Sequence, residues 1–110
     1  MSYYDLYVGD ADDPGLRWEG GNYNGNIPRV ILAVGSINIL ACVAARSLLE
    51  GPKYGGRELD WGASGARLTR DRIIEFLEEF PMNSGWRQLA IERAKTLDEN
   101  RLYVLFACET

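Results

Sequence analysis

Between Tyr54 and Arg70 the chain sets Tyr54, Arg57, Glu58, Asp60, Trp61, Arg67 and Arg70 along a glycine-rich stretch. Loops of this composition carry function more often than cores do, and Trp and Arg are the types that dominate binding hot spots; the other reading is that Trp61 packs over the core and the charges pair locally. Carboxylates and tyrosine can also perform acid–base work, with Asp60, Glu58 or Arg67 as the polar groups of a pocket between helices and sheet. A second group, Trp18, Asn22, Tyr23 and Asn26, precedes the most apolar segment. Its amides are suited either to a ligand surface or to capping a helix.

Other chemistries are excluded by type or spacing. The chain has no histidine, so imidazole serves neither as general base nor as metal ligand. Gly62-Ala63-Ser64-Gly65-Ala66 approaches a nucleophile elbow, but Ala66 replaces the last glycine and no imidazole activates Ser64, which leaves a flexible turn. Asp10, Asp12, Asp13 and Gly15 resemble the start of a calcium loop. However, Pro14 takes a ligand position and Gly21 the place of the bidentate Glu, which leaves a solvated acidic turn. Gly20 to Gly25 has phosphate-loop glycine spacing with Asn26 in place of the lysine. Cys42 and Cys108 lie in apolar surroundings as small hydrophobes, and two cysteines without histidine make neither a zinc site nor a disulfide framework. No cofactor is expected.

With 110 residues, 46% of them hydrophobic, the chain reads as one domain able to bury a core. Twelve basic residues against sixteen acidic ones give a net charge of −4, which disfavours a phosphate-backbone binder. Residues 1–27 hold Asp5, Asp10, Asp12, Asp13 and Glu19 against Arg17 alone, an acidic surface suited to a basic partner. The start MSYYDLY lacks the pattern of a signal peptide, and Val30 to Ala45 is too short and too polar at Ser36 and Asn38 to span a bilayer. Cytoplasmic residence with reduced thiols is the expectation.

The elements follow from periodicity. Tyr3 to Val8 alternates as a first strand, and Leu16 to Glu19 offers a second after the turn at Pro14-Gly15. From Ile27 to Glu50 the residues are apolar nearly all round, which predicts a buried central helix broken at Gly35-Ser36 and ended by Gly51-Pro52. The alternative is a strand at Arg29 to Val34 followed by a helix capped by Ser36. Residues 51–68 form a long loop or irregular hairpin in which Arg57 to Trp61 extends. Thr69 caps a helix whose stripe is Ile73, Phe76, Leu77 and Phe80, with Leu68 and Ile73 as a hydrophobic staple and Pro81 as the stop. A further helix starts after Asn83 or Ser84 and turns Trp86, Leu89, Ala90 and Leu97 inward. Leu102 to Cys108 is a strand apolar on both faces, suited to an interior place beside the first. The fold class is α+β, a small mostly antiparallel sheet of three to four strands formed by the chain's ends and packed against about three helices.

The start YYDLYV followed by WEGGNYNGN resembles small proteins of actinobacteria and their phages, in which an Asn-Tyr-Thr-x-Asn run follows an N-terminal strand. Asn24 stands here where that family has Thr. The resemblance spans about the first third of the chain and implies a bacterial or phage setting, with no activity to carry over.

Two functions fit these features. One is a small non-enzymatic interaction protein of immunity, inhibitor or anti-defence type that binds a macromolecular partner, with homodimerisation compatible. The other is a small-molecule binder or histidine-independent enzyme.

Overall fold

A computed structural model describes residues 4–16, 27–59 and 62–109. It contains the strands β1 (Tyr4–Asp10), β2 (Val30–Ile37), β3 (Arg57–Glu58), β4 (Ser64–Thr69) and β5 (Leu102–Glu109), and the helices α1 (Ile39–Glu50), α2 (Arg70–Glu79) and α3 (Ser84–Ala94). The strands form one antiparallel sheet in the order β2-β1-β5-β4-β3. The fold is α+β, with one strand more than the upper sequence expectation. β5 lies in the middle of the sheet, paired with β1 on one side and β4 on the other. That place explains its two apolar faces, since Tyr103 to Cys108 are all buried.

The preferred reading of residues 27–50 as one helix is overturned. Val30–Ile37 is an edge strand on β1, and α1 begins only after it. β-Branched Val30, Ile31 and Val34 favour extended backbone. Gly35 admits the ring of Trp86, whose Nε1 lies 2.8 Å from where a Cβ would sit. The cap of α1 is Asn38, whose Oδ1 accepts from the Ala41 N–H at 2.7 Å. Ser36 instead donates across the sheet to Asp5. Of the proposed strand Leu16 to Glu19, the last three residues lie outside the described residues.

α2 starts directly from β4, and the Thr69 side chain makes no capping bond. The entry is held by the staple, with Leu68 and Ile73 both buried. α3 is capped by Asn83, which accepts from the Trp86 N–H at 2.8 Å. Leu89 points outward at 48% exposure, contrary to the inward reading. Trp86 Nε1 donates to the Ser36 carbonyl and Arg93 to that of Val34, so α3 occupies carbonyls of the edge strand that would otherwise offer pairing sites.

All three helices lie on one face of the sheet, over Leu6, Val8, Leu105 and Ala107. Tyr54 belongs to this layer. Its ring meets Phe76 edge-on at 5.4 Å, and its hydroxyl donates to Glu79 at 2.7 Å. Lys53 donates to the same carboxylate oxygen at 2.8 Å. The Lys53 and Tyr54 donors hold the Glu79 carboxyl below its usual range. Burial and then the Glu79 carboxylate push the Tyr54 phenol up to about 12. An acid whose pKa is higher folded than unfolded adds stability below its unfolded pKa and loses it as pH rises through the folded one. Thermal melts should therefore fall between about pH 10 and about 12. In Tyr54→Phe this part of the alkaline loss should vanish; an unchanged profile would show that another group carries it.

Candidate functional site

The opposite face of the sheet bears no helix among the described residues. It carries a second cluster of buried residues, Leu59, Ala63, Val104, Phe106 and Cys108, packed by Tyr7, Ala11, Leu16 and Ile27. Leu16 and Ile27 flank the first loop singled out by sequence, and Leu59 and Ala63 lie within the second stretch, between β3 and β4. The fold thus brings the ends of the first loop and the middle of the second stretch onto one surface, although they are far apart in sequence. Trp18, Asn22, Tyr23, Asn26, Asp60 and Trp61 themselves lie outside the described residues, as does the phosphate-loop-like run Gly20 to Gly25.

Phe106 is the floor of this surface. It is wholly buried, and its ring lies 5.4 Å from that of Tyr7. A Cβ on Gly9 would lie 2.7 Å from Pro28 Cγ and 3.0 Å from Phe106 Cε1. Glycine there lets the chain before β2 lie down on the sheet.

The turn after β1 is fastened by its own carboxylates. Asp10 accepts from the Asp12 N–H at 2.9 Å, from Arg101 at 3.0 Å and from Arg29 at 2.8 Å. The Asp12 N–H first, and then the Arg101 and Arg29 guanidinium groups, hold its carboxyl below the ordinary range. Asp13 accepts from the Gly15 and Arg29 amides at 2.9 and 2.8 Å. The expected solvated turn is therefore corrected at Asp10, a buried ion-pair centre. Both termini of the first loop are anchored by it. Sequence reasoning missed this centre because Arg101 is remote in the chain and only the β1–β5 pairing brings it near.

Strand alternation sorts the remaining candidates. Arg57 pairs with Gly65 and Arg67 with Val104, residues on the Phe106 side, so both arginines belong to the helix-free face. Glu58 pairs with Ser64, which faces the helices. Ser64 is fully buried, and its hydroxyl donates to Glu50 at 2.9 Å and accepts from Arg46 at 3.2 Å. It is a strand residue tied to α1 rather than a flexible turn. Tyr54 is in the helix-side core, and Arg70 pairs with Asp71 and Glu99 at the far end of β4. Neither joins Arg57 and Arg67.

On the same face, at its β2 edge, Asp5 accepts from Ser36 at 2.9 Å and from Tyr7 at 3.1 Å. Cys108, whose strand neighbour is Asp5, has its thiol pushed up to about 11 by burial. That thiol is poorly nucleophilic at neutral pH. Among the described residues no group of His, Cys, Asp and Glu is arranged to hold a metal ion. Between helices and sheet, Leu6, Val8, Ile73, Phe76, Phe80 and Leu105 are all fully buried, so close packing fills that layer. No described helix is long and apolar enough to cross a membrane.

Comparison of the chain with protein-family models, with curated proteins and with solved structures finds no match.

Proposed function

We propose that the protein is a non-enzymatic interaction protein of bacterial or phage origin, of immunity, inhibitor or anti-defence type, that binds a protein partner through the helix-free face of its sheet. One observation carries this reading: Arg57 and Arg67 stand on the face where both candidate loops are anchored, over a floor of Phe106 and Val104. Side chains held on the strands of a sheet, as Arg57 and Arg67 are, bind with little ordering cost. Trp18, Tyr23 and Trp61, carried by those loops, are the aromatic anchors such an interface uses.

Asp10 is occupied by Arg29 and Arg101. Attraction of a basic partner therefore falls to Asp12 and the acidic residues of the first loop more than to this carboxylate. A soluble, cytoplasmic setting agrees with the composition.

The test is a reconstituted complex. A captured partner is purified and its affinity measured by calorimetry against the intact chain, Arg67→Glu and Trp61→Ala. Each substitution should weaken binding by about tenfold or more, whereas Glu92→Arg on the outer side of α3 should not. A partner bound equally by all four proteins would remove the helix-free face from the interaction. Turnover of a substrate by the isolated chain would replace the reading with an enzymatic one.

A further inference from the structure

A helix that is apolar all round is ordinarily buried all round. α1 is not. Cys42, Ala45 and Leu49 face the sheet, but Ile39, Leu40 and Val43 are 56%, 79% and 54% exposed. Its outward stripe is Leu40, Val43, Ala44 and Ser47, at i, i+3, i+4 and i+7, the spacing at which one helix meets another. In a chain of net charge −4, the segment Val30–Ala45 holds no charged residue.

We infer that this face is covered by a second copy of the chain, α1 packing antiparallel on α1 about a two-fold axis between Val43 and Ala44. The stripe is self-complementary in that arrangement. Leu40 lies opposite the partner's Ser47, and Val43 opposite the partner's Ala44, so each large side chain enters the space left by a small one. The seam has no charge to desolvate, since Leu40, Val43, Ala44 and Ser47 are all neutral and the Glu50 carboxylate beyond it is held by Ser64. The exposed Ser47 and the partly exposed Ala44 let the two backbones approach closely. This contact lies on the helical layer and leaves the helix-free face of each copy open, so it stands independently of the proposed function.

Sedimentation velocity of the full chain over a wide concentration range tests it. The intact protein should move from the 12.3 kDa monomer to twice that mass. Leu40→Glu should weaken the dimer by about a hundredfold or more, since two seam positions change at once. Ser47→Arg, at a position already exposed, should act in the same direction and decides the matter if circular dichroism shows Leu40→Glu to be misfolded. Ala44→Cys should cross-link to its own copy under mild oxidation, while Gln88→Cys on α3 should not. Arg67→Glu should leave the dimer intact. A chain that stays monomeric at every concentration, or a dimer indifferent to both Leu40→Glu and Ser47→Arg, overturns the inference.

Discussion

Replacing Gly56 by alanine should destabilise the protein by about 3–5 kcal/mol, at the upper end for a single added methyl group. A Cβ at this position would lie 2.4 Å from the Leu49 carbonyl oxygen and 2.5 Å from that of Gly65. Both obstacles are backbone, one at the end of α1 and one in β4, so no rotamer change relieves the overlap. The Gly56 N–H also donates to the Leu49 carbonyl at 2.7 Å, and moving the segment away would break that bond. The cost is large beside the total stability of a domain, roughly 5–15 kcal/mol. The melting temperature should drop by at least ~12 °C. Gly55→Ala is the control. Gly55 sits at φ 65° with nothing within 4 Å of its missing Cβ, so only backbone strain of about 1 kcal/mol opposes the change. Equal melting temperatures for the two variants would show that α1 and β4 do not approach at Gly56 as described.

Phe106→Ala should cost about 3–5 kcal/mol, as expected for emptying a fully buried aromatic site. The position of the loss matters as much as its size. Phe106 supports Tyr7 and the Pro28 approach to Gly9, whereas the helix-side core is reached by its strand neighbours Leu105 and Ala107. Hydrogen exchange should show the amides of Asp13, Leu16 and Arg29 losing protection first, because their acceptors lie in the segment resting on Phe106. The α2 amides should follow only with global unfolding. Uniform loss across the chain would mean that the two clusters form a single cooperative core. Leu102→Ala, on the same strand but 41% exposed, should change stability by only a few tenths of a kcal/mol.

Much of the fold was legible where pattern and punctuation agree. α2 has a clean apolar stripe closed by Pro81, α3 has Asn83 before it, and β5 is apolar on both faces because it lies between two strands. Residues 27–50 defeated the same logic. Val30 to Val34 suits a helix or a strand by hydrophobicity alone, and the deciding facts are distant: β1 needs a partner on its outer side, and Trp86 fits only against Gly35. Thr69 marks the start of α2 as its type suggests, but it is also the last residue of β4 and its hydroxyl makes no capping bond. At the candidate site, residue types identified the two loops, but nothing local indicated that they share a face. That follows from Leu16, Ile27, Leu59 and Ala63 packing around Phe106. Leu40 and Val43 have the residue types of a core, and their exposure is visible only once α1 is laid on the sheet.

The strand order bears on how this chain reaches its native state. Tyr4 pairs with Glu109 and Asp10 with Tyr103, so joining β1 to β5 closes a loop that runs from Asp10 to Tyr103, a costly closure in chain entropy. The β3–β4 hairpin and the helices can form from neighbours in sequence, yet neither half of the sheet is complete until β5 slides between them. A topology that postpones its central strand belongs to the slower folders of its size. Until that strand arrives, the inner edges of β1 and β4 stand open to any other extended segment, including one from another molecule.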